Sequence, residues 1–276
     1  MSKTVLITGA SSGIGKAAAI YFSGKGWNVI ASMRSPEKEK ELTGSDSMLV
    51  SKLDVQDTAT IEATVQAGIQ KFGKIDVVIN NAGYGLFGIF EAASEGQVRD
   101  QFEVNVFGVM NVIRAILPHF RENKAGLILN ISSGAGRFTL PLISLYAASK
   151  FALEGFSEAL AYELSFQNII VKIIEPGGTD TNFNNVTSKK MLQSPALNDY
   201  DGFMAAAGKV FAGLREWKSV TADEVAEVIY QAATDGTDRL RYVIGNEGFM
   251  KRIEAREKMT EPEYVKFMRQ GLDSKG

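Results

Sequence analysis

Seven short apolar runs punctuate the chain, at residues 4–8, 27–31, 48–50, 75–79, 127–131, 169–174 and 241–245. They are rich in Val, Ile and Leu with little polar alternation, as strands buried on both faces require. Between most of them lie segments of helical length. Residues 58–72 read as a helix, and Ser94-x-x-Gln97 is a capping box opening a long helical region to about Phe120. Strand–helix alternation of this kind predicts an α/β fold with a doubly wound parallel sheet. The 276 residues are read as one such domain over 1–248, followed by a helical extension of the same domain over 249–276. Further capping boxes at Thr221-x-x-Glu224 and Thr260-x-x-Glu263 predict helices near the C-terminus.

The formal net charge is -2, which gives no electrostatic reason to expect nucleic acid or an anionic membrane. The absence of cysteine removes disulfides, thiol nucleophiles and cysteine metal sites, and suits a reducing compartment. No basic leader precedes the first strand, and no apolar run approaches the ~18–20 residues of a membrane span. A cytoplasmic protein without a membrane span or a metal is expected.

The first strand runs into Gly9-Ala-Ser-Ser-Gly13-Ile-Gly15-Lys16 and then a helix-forming stretch. A strand, a glycine turn and a helix N-terminus together form an anion site, because free N–H groups and the helix dipole converge there. A phosphate-binding P-loop fails twice, since Ala10 stands where its first glycine belongs and Ala17 where its Ser/Thr belongs. Gly9-Ala-Ser11-Ser-Gly13 also matches a nucleophile elbow. A hydrolase on Ser11 would need a histidine, however, and the sole His119 ends a long apolar-periodic helix, where a structural role is preferred. Dinucleotide binding fits best. A pyrophosphate would sit on Gly9, Gly13 and Gly15.

An acid about 20 residues on, at the end of the second strand, would bind an NAD ribose. Here stand Ser32-Met33-Arg34. Arg34, with Ser32 and Ser11, points to NADP, because an arginine pairs with a 2′-phosphate that a carboxylate would repel. The rival reading leaves Arg34 in solvent. Asp54, beside Val55, can accept from a base amino group or close a turn, and Asn80-Asn81-Ala82-Gly83 leaves the fourth strand at the ligand-binding end of such sheets. Asn105 lies among apolar residues and needs partners.

Tyr146 and Lys150 are an i, i+4 pair on one helix face. An ammonium beside a phenol is expected to lower the tyrosine pKa and make it a usable acid or base, with a serine at the end of the preceding strand hydrogen-bonding the same oxygen. A second copy of the spacing, Tyr21-x-x-x-Lys25, is read as structural.

Taken in order, Thr8-Gly-Ala-Ser-Ser-Gly-Ile-Gly15, Asn80-Asn-Ala-Gly83, Asn105, Ser133, Tyr146-x-x-x-Lys150 and Pro176-Gly177 resemble the short-chain dehydrogenase/reductase family over about the first 185 residues. The resemblance implies that Tyr146 protonates a substrate carbonyl, that Ser133 orients it, that Lys150 binds the nicotinamide ribose and lowers the Tyr146 pKa, and that Asn105 holds a water of the proton relay. It implies a dinucleotide cradle of Gly9, Ser11, Ser12, Gly13, Ile14 and Gly15. Asn81, Ala82 and Gly83 would lie toward the adenosine side, and Pro176, Gly177, Thr179 and Thr181 would hold the carboxamide. NADP (NADPH) is the expected cofactor, with NAD the second choice.

The family's substrate lid falls on residues 182–218, an irregular stretch bearing Phe183, Met191, Leu192, Met204 and Phe211. With 86–90 and 138–142 as the other walls, the pocket suits a small hydrophobic ketone, aldehyde or alcohol. Apolar and small residues on several faces of the helices near 94–120 and 147–165 suggest a homodimer or homotetramer. The expected function is an NADP-dependent carbonyl reductase/alcohol dehydrogenase. A non-catalytic dinucleotide-binding regulator and an NAD-linked steroid or lipid alcohol dehydrogenase are the rivals.

Overall fold

The computed structural model describes residues 2–181, 192 and 197–272. Seven strands form one parallel sheet: β1 (Thr4–Thr8), β2 (Asn28–Met33), β3 (Met48–Lys52), β4 (Val77–Asn80), β5 (Gly126–Ile131), β6 (Ile169–Pro176) and β9 (Arg241–Ile244). The spatial order is β3-β2-β1-β4-β5-β6-β9, so the direction of winding reverses between β1 and β4. A short parallel pair, β7 (Thr179–Asp180) with β8 (Val220–Thr221), lies outside the sheet. Every residue of β1 is buried, which accounts for its unbroken apolar run.

Helices cover both faces. On one side α1 (Gly13–Gly24) and α7 (Ala222–Thr234) bury Ala18, Phe22, Val225 and Ile229 against β1, β2 and β4. On the other, α2 (Thr58–Phe72), α4 (Gly108–Asn123) and α5 (Ser144–Ser165) bury Ile61, Ile113, Phe120 and Leu160. All three capping boxes are present: Ser94 with Gln97 opens α3 (Glu95–Phe102), Thr221 with Glu224 opens α7, and Thr260 with Glu263 opens α9 (Glu261–Met268). The long helix expected to follow Ser94 is interrupted by a π-helical turn, Glu103–Phe107, between α3 and α4.

One expectation changes. Residues 201–215 are not irregular but form α6 (Asp201–Arg215), in which Ala207 is fully buried. Its glycines hid an alanine-rich stretch that tertiary packing holds helical. Asn182, Phe183 and Met191 of the expected lid lie outside the described residues. The C-terminal extension forms α8 (Glu247–Lys258) and α9, packed through Phe249, Ile253 and Tyr264 against Phe138. Among the described residues no helix is long and apolar enough to cross a membrane.

Candidate active site

The glycine turn sits where β1 meets the switch in winding. Gly9 and Gly13 have φ of 69° and 56°, conformations that side chains resist. Gly15 is needed for space, because a Cβ there would lie 2.5 Å from the Gly9 carbonyl oxygen and against the Asn81 amide. Ser12 occupies the N-cap position of α1 but makes no capping hydrogen bond, whereas Asp57, Ser94, Thr221 and Asn246 cap their helices. The N–H groups of α1 thus keep their anion-binding capacity, with Ser11 and Ser12 exposed beside them and Ile14 packed inward against the core. Thr181 closes the turn from the far side, 3.3 Å from where a Gly13 Cβ would be. These features fit a pyrophosphate. The residues that would hold a dinucleotide are therefore together at the carboxyl edge of the sheet.

Several expected contacts have other duties. Asn81 Nδ2 donates to the carbonyls of Thr8 and Gly9 at 3.0 and 3.1 Å, while Thr8 Oγ1 accepts from the N–H groups of Asn81 and Ala82 at 3.0 Å each. Asn81 is thus a clamp on the turn. Ser32 is fully buried and donates its hydroxyl to the Ile7 carbonyl at 2.9 Å, so it has no proton left for a phosphate. Arg34 stands exposed at the end of β2 and forms no ion pair among the described residues. Asp54 accepts from the Gln56 N–H at 3.1 Å in a local turn, and Val55 is buried against Gly108. Gly83 faces Asn105, whose Oδ1 would lie 3.1 Å from a Cβ there.

Next along the edge, the β5 strand ends at Ile131 and a turn at Gly134–Gly136 begins with Ser133, whose Oγ accepts from the Ala135 N–H at 3.2 Å. The Ser133 hydroxyl also acts on the Tyr146 phenol, drawing its pKa down, while the neighbouring Ser132 faces Glu154. Tyr146 and Lys150 are both buried on α5, with Lys150 Nζ 5.9 Å from the Tyr146 ring centroid. The ammonium donates to the Ile131 carbonyl at 2.8 Å.

The expected downward shift of Tyr146 is not found. Burial pushes the phenol up to about 12, and the Ser133 hydrogen bond offsets only part of this. Burial likewise brings Lys150 down to about 8, opposed by the Glu154 carboxylate. Spacing put the ammonium near the phenol, but desolvation outweighs charge proximity here. At neutral pH the phenol holds its proton.

Asn105 lies in the π turn, a feature often found at functional sites. Its Nδ2 donates to the Tyr84 carbonyl at 2.9 Å and to Ser149 Oγ at 3.1 Å, and its Oδ1 accepts from the Tyr84 N–H at 3.1 Å. Three of its four hydrogen-bonding positions thus serve a strut among the described residues. Ser149 in turn donates to the Tyr146 carbonyl at 2.7 Å, tying Asn105 to α5. Gln101 braces the same loop, accepting from Leu86 N–H and donating to the Tyr84 carbonyl. The sequence reading missed Gln101 and Ser149, although each is a polar residue on an inward helix face.

Phe87 stacks 5.7 Å from the Tyr146 ring, and Leu140, Ile143 and Phe211 complete an apolar cover. Beside it lies a cavity of about 490 Å³ lined by Gly88, Ile89, Phe90, Leu142, Tyr200 and Phe203 together with Glu91 and Ser144, with no Lys, Arg or His in its wall among the described residues. Pro176 ends β6 buried, the Gly177 N–H donates to the Ile244 carbonyl at 2.7 Å, and Thr179 Oγ1 donates to the Gly177 carbonyl at 3.0 Å.

Two alternatives are disposed of. His119 Nε2 accepts from the Ile75 N–H at 3.0 Å, at the opposite edge of the sheet from Ser11, so no Ser–His pair exists. The Tyr21–Lys25 pair lies at the end of α1 against Tyr230.

Comparison with known proteins agrees with this geometry. Residues 3–192 match the family model described as short chain dehydrogenase. An uncharacterized oxidoreductase of Schizosaccharomyces pombe is 41% identical over 216 residues, covering 78% of this chain and 89% of its own. A 3-ketodihydrosphingosine reductase of Bacteroides thetaiotaomicron is 42% identical over 181 residues, 66% of this chain and 65% of that one. A solved short-chain dehydrogenase from Streptomyces avermitilis superposes with a TM-score of 0.81 at 31% identity, covering 99% of this chain and 100% of that one. A 3-ketoacyl-(acyl-carrier-protein) reductase from Brucella melitensis complexed with NADH and a serine dehydrogenase complexed with NADP+ each give 0.73 at 27% identity; both cover 87% of this chain, and 96% and 94% of their own. The chain belongs to the short-chain dehydrogenase/reductase family, as an oxidoreductase that uses a nicotinamide dinucleotide.

Proposed function

We propose that the protein is an NADP-dependent reductase of hydrophobic ketones or aldehydes, acting in reverse as an alcohol dehydrogenase. The observation that carries this reading is the buried Tyr146 phenol, neighboured by Ser133 and Lys150 and covered by apolar side chains. A nicotinamide dinucleotide, when bound, would supply hydride to the carbonyl carbon. Tyr146 donates its proton to the carbonyl oxygen, and Ser133 hydrogen-bonds that oxygen and orients it. A phenol whose pKa is pushed up to about 12 is fully protonated at neutral pH, as a donor must be. Lys150, still mostly charged below about pH 8, stabilises the phenolate left behind and binds the nicotinamide ribose. Asn105 braces the loop that carries Tyr84 and, through Ser149, the start of α5.

The glycine turn and α1 would hold the pyrophosphate, and the Pro176–Thr181 segment the carboxamide. Arg34 favours NADP: it is an exposed guanidinium without an acidic partner among the described residues, at the position that would meet the adenosine ribose. The mainly apolar cavity wall, in which the Glu91 carboxylate accepts from the Tyr200 hydroxyl, supports a lipophilic substrate, in keeping with a relative named for reducing a keto-sphingoid. Phe107 just before α4, Phe151 on α5 and Phe166 just after α5 are exposed rings, which supports a homodimer through these helices. A light-scattering mass of one chain would remove that assembly.

Titrating the protein with NADPH and NADH by nicotinamide fluorescence, followed by turnover on a panel of hydrophobic ketones, tests the reading. Tighter NADPH binding with turnover is expected. Binding without turnover on any carbonyl would favour a non-catalytic dinucleotide sensor, and equal or tighter NADH binding would favour the NAD-linked alcohol dehydrogenase.

A further inference from the structure

Helix α8 of the C-terminal extension inserts one ring into the wall of the site, and it does so at glycines. A Cβ on Gly134 or Gly245 would overlap the Phe249 ring, and one on Gly177 would lie 3.0 Å from it. None of these three glycines has a left-handed φ. Their backbones would accept any residue, so the ring itself is what requires glycine. The three belong to separate segments: the turn that follows Ser133, the turn that ends β6, and the residue after β9.

The ring is fixed from behind. Asn246 caps α8 by accepting from the Phe249 N–H at 2.9 Å, and Phe138 packs edge-on at 5.6 Å. Arg137, on the Ser133 turn, donates to Glu257 near the end of α8 at 2.6 Å and to the buried Glu175 of β6 at 3.0 Å. The helix therefore holds that turn at both of its own ends.

We propose that Phe249 is a positioning residue of the reaction, setting the separation between the Ser133 turn and the Pro176–Gly177 turn. This rests on the role of Ser133 in the proposed function. Interiors are close-packed, so a ring wedged against three backbones leaves them one arrangement. Without it the turns can close on the gap, and a displacement of about 1 Å at a reacting group can cost on the order of 10²-fold in rate.

The test uses Phe249→Leu, which keeps an apolar filler, Gly134→Ala, which drives a methyl into the ring, and their combination. Each single change should lower kcat about 10-fold with the carbonyl KM little altered, and the double variant should recover part of the loss as the clash is relieved. In a Ser133→Ala background, Phe249→Leu should cost under about 2-fold, since the group it positions is gone. Hydrogen–deuterium exchange provides a readout independent of turnover: residues 132–138 should exchange faster in Phe249→Leu while residues 9–15 do not change. Unaltered exchange at 132–138, or losses that multiply independently in all backgrounds, would overturn the proposal. A wild-type protein that reduces no carbonyl would refute the reductase reading, and the exchange measurement would still decide what the ring positions.

Discussion

Replacing Lys150 by methionine should strengthen the fold at neutral pH while removing activity. The ammonium is buried and hydrogen-bonded to the Ile131 carbonyl, and burial, partly opposed by Glu154, lowers its pKa from 10.5 to about 8. The folded pKa lies below the unfolded one, so the folded state favours the neutral amine. The stability contributed by this group is complete above pH 10.5 and is lost as pH falls through 8. At about 1.4 kcal/mol per pH unit, the interval from 10.5 to 8 is a deficit of about 3 kcal/mol at pH 7. Methionine keeps most of the stem packing and carries no proton, but it forfeits the hydrogen bond and leaves the Ile131 carbonyl short of a donor, a loss of about 1–2 kcal/mol. A net gain of about 1 kcal/mol at pH 7 should therefore turn into a loss of about 2 kcal/mol above pH 10. Urea unfolding of both proteins without nucleotide, followed by circular dichroism from pH 7 to 10, measures it; Tyr146 is common to both and largely cancels. A stability difference that does not change with pH would refute the reasoning.

Other substitutions separate the remaining parts. Arg34→Gln should weaken NADPH binding by about 10-fold or more and leave NADH within about 2-fold, measured by fluorescence titration. Glu154→Gln removes a carboxylate that holds the Lys150 pKa up. Carbonyl reduction in the wild type should decline as pH rises through about 8, where the ammonium is lost, and the variant's decline should begin at lower pH. Profiles of kcat/KM against pH will show whether the limb moves that way.

The sheet was legible because strands buried on both faces leave apolar runs, unbroken at residues 5–7 of β1 and interrupted only by Lys172 over residues 169–174 of β6. Ser94, Thr221 and Thr260 announced their helices through local chemistry that packing does not override. Where the outcome depended on tertiary surroundings, pattern was insufficient. Ser32 lies near the end of the right strand for a phosphate contact, yet its hydroxyl turns inward to Ile7. Asn81 sits at the cofactor edge but spends its amide on the glycine turn. The Tyr146–Lys150 spacing signalled proximity and could not signal that α5 buries both groups, which reverses the direction of the phenol's shift. Phe249 looked like an ordinary apolar residue of a charged tail, because its partners are glycines more than 70 residues away in the cases of Gly134 and Gly177.

The central claim is that Tyr146 delivers the proton, and Tyr146→Phe tests it most directly. Phenylalanine preserves the ring packed against Phe87 and removes only the hydroxyl that Ser133 contacts. Turnover of a reducible ketone should fall by at least about 10²-fold while dinucleotide affinity, measured on the same sample, stays within a few-fold. Turnover close to that of the wild type, with the dinucleotide bound, would contradict the account.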